Sequence, residues 1–179
     1  MNANFYNDFY RNTGFKFKLA PKAVATLLLS HHIKYLFWLR KAQNKPSLFK
    51  RIVLKRFSSK YGLEISPNAK IGNGLYLGHP YNITVSPYAT LGDNVNLHKG
   101  VTIGMENRGK RQGAPKIGNC VYIGVNSTVV GDIQIGDDVL IASNSLVNFD
   151  VPSHSVVVGN PAKIHPKEDA TQGYIAFKV

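Results

Sequence analysis

Through the middle of this chain, every sixth residue is Ile, Leu or Val. The series runs Ile65, Ile71, Leu77, then Val85, Leu91, Leu97, Ile103, then Ile117, Ile123, Val129, Ile135, Ile141 and Val147. Two extra residues fall between Leu77 and Val85, and a longer excursion separates Ile103 from Ile117. A period of six fits neither a helix, whose faces repeat near 3.6 residues, nor a lone strand, whose faces alternate. It fits triangular coils of three six-residue sides, with one aliphatic residue per side pointing inward and stacked coils sharing one core. Gly follows the aliphatic residue at seven of the thirteen positions. The expected fold is a left-handed parallel β-helix of four to five coils. A sandwich of short strands would not keep this period thirteen times.

At 179 residues the chain is one domain with an appendage. We read residues 1–62 as a basic helical segment, 63–163 as the β-helix and 164–179 as a tail. The single cysteine, Cys120, excludes an intrachain disulfide and suits a reducing compartment; inside a hexad it reads as a packed thiol. Thirteen of the 22 Lys and Arg lie in residues 1–60, where Asp8 is the only acid. That segment carries +12, and the remainder is neutral.

Two helices are expected in this segment. Pro21 suits a first helical position before the apolar-rich run Ala23 to Lys41, Ser47 can cap a second helix and Gly62 can end it. In the second, Leu48, Phe49, Ile52, Val53 and Phe57 share a face, with Lys50, Arg51, Lys55 and Arg56 largely opposite. His31, His32 and Lys34 interrupt the only long apolar stretch, so neither a membrane span nor a signal peptide is expected. The segment reads as a cap on the open first coil, with peripheral contact to anionic lipid through residues 16–60 as its companion reading. No nucleic-acid motif accompanies the charge, so no nucleic-acid partner is expected. The location expected is cytoplasmic, at or near the inner face of the membrane.

A β-helix proves no chemistry by itself. Laid around a triangle, the hexads starting at Leu77, Leu97, Ile123 and Ile141 stack on one side. Their third residues are His79, Lys99, Val125 and Ser143. His79 therefore starts a line of positions up one edge, beside the insertion from Pro80 to Thr84, and the Gly-rich, charged excursion Met105 to Lys116 leaves the coil two levels on. A histidine at a bulge near a long loop is a candidate for handling protons. His31, His32, His154 and His165 read as surface or packing residues.

The segments Gly-Leu-Glu-Ile-Ser-Pro-Asn-Ala-Lys-Ile-Gly (62–72), Leu-Gly-His (77–79), Val-Thr-Ile-Gly (101–104), Pro-Lys-Ile-Gly (115–118) and Gly-Asn-Pro-Ala-Lys (159–163) make the stretch 62–163 resemble the serine acetyltransferases and related hexapeptide-repeat O-acetyltransferases of capsule and exopolysaccharide clusters (colanic-acid type). The resemblance implies acetyl-CoA as co-substrate, no metal, and a homotrimer with its cleft between neighbouring subunits. It makes His79 the general base and Glu64 the carboxylate that orients it, one methylene longer than the family's Asp. Gly104, Met105, Gly124, Val125 and Ser143 would line the cofactor cleft, with Lys116 and Lys163 on the CoA phosphates.

The departures bear on the acceptor. Serine acetyltransferases resembling this chain carry an Arg-His pair before Pro-Lys-Ile and an Asp before the catalytic His; here stand Gly113, Ala114 and Gly78. Missing charged partners would each remove about 1.5–3 kcal/mol of amino-acid recognition. The expected activity is acetyl transfer to a hydroxyl of a sugar or polysaccharide precursor. Its alternative is serine O-acetylation in cysteine biosynthesis, and a non-catalytic glycan- or membrane-binding scaffold is the second. A metal hydrase, with His79 and His98 meeting on adjacent coils, lacks an evident third ligand.

Overall fold

The computed structural model describes residues 3–18 and 20–179. Four helices come first: α1 (Ala3–Thr13), α2 (Pro21–Leu29), α3 (His31–Asn44) and α4 (Leu48–Tyr61). The strands follow as β1 (Leu63–Ile65), β2 (Lys70–Ile71), β3 (Tyr76–Gly78), β4 (Ile83–Val85), β5 (Thr90–Leu91), β6 (Asn96–His98), β7 (Thr102–Gly104) and β8 (Lys116–Ile117). Then come β9 (Tyr122–Ile123), β10 (Thr128–Val130), β11 (Gln134–Ile135), β12 (Val139–Ile141), β13 (Leu146–Val147), β14 (Ser155–Gly159) and β15 (Ala162–Pro166).

Every third strand stacks. The first face is β1-β4-β7-β10-β13, the second β2-β5-β8-β11, and the third β3-β6-β9-β12-β14 with β15 added antiparallel at its end. Register sets Leu77 beside Leu97, Leu97 beside Ile123 and Ile123 beside Ile141, as the six-residue period requires. Twelve of the thirteen inward residues are buried, and Ile71 in the first coil is half-buried. The result is a parallel β-helix of about five turns, whose core is one stack of aliphatic side chains.

The corners repeat as regularly as the sides. Between the second and third faces, Gly74, Asn94, Cys120, Asp138 and His154 all take left-handed φ; between the third and first, Asn82, Gly100, Asn126 and Asn144 do. Gly, Asn and Asp tolerate that region best. Side chains also ladder up the former corner: Asp93 accepts from the Asn73 N–H, Asn119 from Asp93, Asp137 from Asn119 and Ser153 from Asp137, at 2.6–2.9 Å.

The helical segment departs from the sequence expectation in three ways. It holds four helices rather than two: α1 precedes the two expected, and Ser30, extended at φ −83° and ψ 116°, ends α2 and opens α3 where one helix was expected. That reversal lets Ala23 and Ile33 join Phe5 and Phe9 of α1 in a separate aromatic cluster. On α4, Leu54 is buried and Phe57 and Tyr61 pack on the coil, while Leu48, Phe49 and Ile52 point outward beside Arg51, Lys55 and Arg56. The residues after β15 fold back: Asp138 accepts from the Ala170 and Thr171 N–H groups and from the Thr171 hydroxyl. Other expectations hold. Pro21 opens α2, Ser47 Oγ accepts from Lys50 N–H at 3.4 Å, and Gly62 ends α4 at φ 66°.

Tyr35, Leu36 and Leu39 of α3 and Leu54 of α4 pack into the same core cluster as the coil, and polar contacts fix the helices there. Asn82 N–H donates to the Tyr61 carbonyl at 2.9 Å, so the first coil stacks on the end of α4. Asp8 of α1 and Arg40 of α3 form a fully buried ion pair, 2.7 and 3.0 Å. Arg40 also donates to the Ile71 and Gly72 carbonyls, and Asp8 accepts from Leu75 N–H, which ties both helices to the first turn. Among the described residues no helix is long and apolar enough to cross a membrane.

Candidate active site

His79 follows β3 at the corner between the third and first faces. Its φ of 47° adds a second left-handed residue, beside Asn82, to the corner that carries the two-residue insertion. The reversal leaves His79 exposed, and among the described residues its side chain makes no hydrogen bond. The insertion is pinned: Tyr81 N–H donates to the His79 carbonyl and Gly100 N–H to the Tyr81 carbonyl, both near 2.8–2.9 Å. His31 at the start of α3 stacks on Tyr61 (4.4 Å between centroids) and lies against Tyr81 of the inserted loop (5.4 Å). Burial, then the charges of Lys34 and Lys60, hold His31 below the usual histidine range. This histidine, read from sequence as a packing residue, braces the loop that aims His79.

Above His79 the same corner carries Lys99, Gly124 with Val125, and Ser143, coil upon coil. Asn126 N–H donates to the Lys99 carbonyl and Asn144 N–H to the Val125 carbonyl, both at 2.9 Å. A Cβ on Gly124 would stand 2.6 Å from the Ser143 nitrogen, so only glycine lets these coils close here and leaves bare backbone on the edge. Lys163, exposed on β15, pairs in register with Val158 at the top of this edge.

Gly104, Met105 and Lys116 are not there. They lie at the next corner, between the first and second faces, where the excursion 105–115 leaves the coil. Lys116 is well exposed and 3.9 Å from Asp132. One chain therefore presents two partial linings on different edges of the prism. The resemblance groups them because it places the cofactor cleft between neighbouring subunits, where two different edges meet.

Glu64 is not joined to His79 either. It sits on the outer side of β1, exposed, and its carboxylate accepts from the Ser58 hydroxyl of α4 at 2.8 Å. The residue nearest His79 in character is His98, one coil up. Burial, then the charge of His79, hold His98 below the usual histidine range. Its ring lies between Tyr76 and Tyr122 (centroids 6.0 and 4.6 Å), and its buried Nε2 has no partner among the described residues. A Cβ on Gly78 would meet His98 Cε1 and Nδ1 at 2.4 Å. Gly78 and His98 are thus one steric unit: the imidazole occupies the room a side chain at 78 would need. The pairing was visible in sequence only as adjacency on neighbouring coils. At the other departure, Gly113 (φ 139°) lies with its Cβ position 2.9 Å from Asp132, and Ala114 is buried in the coil core.

Comparison with known proteins agrees with this architecture. The family model for bacterial transferase hexapeptide (six repeats) matches residues 114–148. Serine acetyltransferase 2 of Arabidopsis thaliana is 41% identical over 109 residues, covering 61% of this chain and 34% of that protein. A serine acetyltransferase of Helicobacter pylori is 39% identical over 107 residues, 60% of this chain and 63% of that one. The chain therefore matches less than two thirds of the length of these relatives. Among solved structures, soybean serine acetyltransferase complexed with serine superposes with a TM-score of 0.72 at 27% identity, covering 90% of this chain and 67% of that one. The serine acetyltransferase from Brucella abortus in complex with coenzyme A gives 0.75 at 27% identity, covering 92% and 66%. The chain carries the bacterial transferase hexapeptide repeat, and its coil is similar to that of the serine acetyltransferases.

Proposed function

We propose that this chain transfers the acetyl group of acetyl-CoA to the hydroxyl of an acceptor, with His79 as general base. The observation that carries the reading is the exposed imidazole at the foot of an edge of bare backbone, on a coil about 40% identical to serine acetyltransferases. His79 takes the proton of the acceptor hydroxyl as its oxygen attacks the thioester carbon, a role worth about 10²–10⁴-fold. A backbone N–H of the edge stabilises the tetrahedral oxyanion, whose collapse expels the CoA thiolate. Gly124 and Val125 supply the backbone against which the pantetheine would lie, and exposed Lys163 and Lys116 suit its phosphates. Since the two linings lie on different edges, the complete cleft forms between copies, which favours a trimer. Glu64 orients His79 only after exchanging Ser58 for the imidazole, so it is a positioning residue in this reading.

L-serine is the acceptor the relatives favour, which reverses the sugar acceptor expected from sequence. The sugar hydroxyl stays as a second reading on one local observation: His98 fills the space over Gly78, and Gly113 is closed against Asp132, so neither position can carry a charged partner for an amino acid. The test is CoA release from acetyl-CoA, wild type beside His79→Ala, with L-serine and then with a panel of sugars. Turnover lost about 100-fold or more in the variant supports the base; equal turnover sinks it. Turnover with serine settles the acceptor for the first reading, and turnover with sugars alone for the second. Neither acetyl-CoA binding nor turnover would leave only the scaffold.

A further inference from the structure

Two helical patches leave large apolar side chains in solvent: Leu28 (63% exposed) and Leu29 (82%) at the end of α2, and a second, flanked by cations, at the start of α4. Leu48, Phe49 and Ile52 at the start of α4 are 75%, 63% and 51% exposed, although the helix continues into a well-packed Leu54 and Phe57. Steps of three and four residues along a helix keep one face, so Leu48, Ile52, Lys55, Arg56 and Ser59 form a single outward stripe. Exposed Arg51 and Lys60 flank it, and Lys45 lies just before the helix. Among the described residues no carboxylate pairs with any of these cations. Asp8, the one acid within residues 1–60, is consumed by Arg40 in the interior.

We propose that this face of α4 docks on a membrane surface rich in anionic lipid. The apolar end has the side chains that enter the boundary between headgroups and acyl chains, and the cationic end meets lipid phosphate. Charge complementarity selects this occupant. A second copy docked through the same face would set Arg51, Lys55, Arg56 and Lys60 against the same four cations. Nucleic acid would answer the cations but leave Leu48, Phe49 and Ile52 in water. The docking is independent of the acetyl-transfer reading, since it uses no residue of the His79 edge.

The sole tryptophan, Trp38, provides a local reporter, because its ring lies 5.7 Å from Phe49. The full chain is sedimented with vesicles of phosphatidylcholine alone and of phosphatidylcholine with phosphatidylglycerol. Binding is expected only to the mixed vesicles, weakening with salt, with a blue shift of Trp38 emission. Arg51→Gln, Lys55→Gln and Arg56→Gln together should lower partitioning roughly 100-fold. Leu48→Ser, Phe49→Ser and Ile52→Ser together should abolish the blue shift. All six positions are exposed, and an unchanged thermal melt by circular dichroism verifies the fold of each variant. Absence of binding to the mixed vesicles, or binding untouched by both sets, overturns the proposal. So does capture of duplex DNA without vesicle binding, or self-association that only the serine variant cancels, which would give the face to a second copy.

Discussion

The coil and the helices that cap it are held together by different physics. In the coil each inward residue stands in register with its counterparts one turn above and below inside one continuous aliphatic core, so the same packing repeats turn after turn. The helical segment has no such repeat. It rests on an aromatic cluster around Phe5 and Phe9, on Leu36, Leu39 and Leu54 packed into the end of the coil's core, on a buried pair linking Asp8 to Arg40 across 32 positions, and on the stacking of the first coil upon Tyr61. A repeat tolerates an insertion wherever a corner can bulge, as at His79. A segment built on single contacts fails where one of them is cut. The contrast also separates two uses of surface: the coil places chemistry on an edge, and the helices expose charge and apolar area on a face.

The sharpest way to break this comparison is Asp8→Ala. It leaves the Arg40 guanidinium buried with no counter-charge and the Leu75 N–H without its acceptor, at a cost of about 3–5 kcal/mol. Urea unfolding followed by Trp38 emission should shift far more than unfolding followed by the β-sheet signal in circular dichroism. Coincident shifts in both would mean that helices and coil are one cooperative unit. Ile123→Ala tests the other side. Its side chain is fully buried between Leu97 and Ile141, and a loss of about 2–5 kcal/mol is expected, read chiefly in the sheet signal.

The same difference explains what was legible in sequence. The coil could be read because a period of six admits one solution, and the faces assigned by counting from Leu77 are the faces observed. His79 stood out because it sits where the period slips. The four helices could not be counted, since the reversal at Ser30 is dictated by Phe5, Phe9 and Ile33 meeting in space and by no local breaker. The outward turn of Leu48 and Ile52 was hidden for a related reason: a helical wheel names an apolar face, but the first coil selects Leu54 and Phe57 instead. Glu64 matched a motif by spacing, yet Ser58 arrives from α4, a segment outside the resemblance, and takes its carboxylate.

A smaller effect should distinguish the regions by pH. Burial, then the charge of neighbouring His31, bring His32 of α3 down to about 4. A histidine kept neutral by folding contributes stability that is whole above its unfolded value of about 6.5 and is lost as pH falls toward the folded value. The Trp38 unfolding midpoint should therefore fall between about pH 6.5 and about pH 4, by on the order of 1–2 kcal/mol once solvent screening is allowed for. His32→Gln should flatten that slope, and a slope unchanged by the substitution would place its origin elsewhere.

The smallest expected effect carries the most weight for the surface. Leu48 is a leucine in a helix, and by composition alone its removal would be expected to hurt. Because it is 75% exposed, Leu48→Ser should change the urea midpoint by no more than about 0.5 kcal/mol, while Leu54→Ala six residues on, which empties a buried site, should cost about 2–5 kcal/mol. The ratio between the two is the measurement. If Leu48→Ser costs as much as Leu54→Ala in the isolated protein, then something already covers the face in solution, and the only candidate present is another copy of the chain. If it costs nothing there but removes binding to anionic vesicles, the apolar stripe is kept for a partner, and its exposure is a property of function rather than a defect of packing.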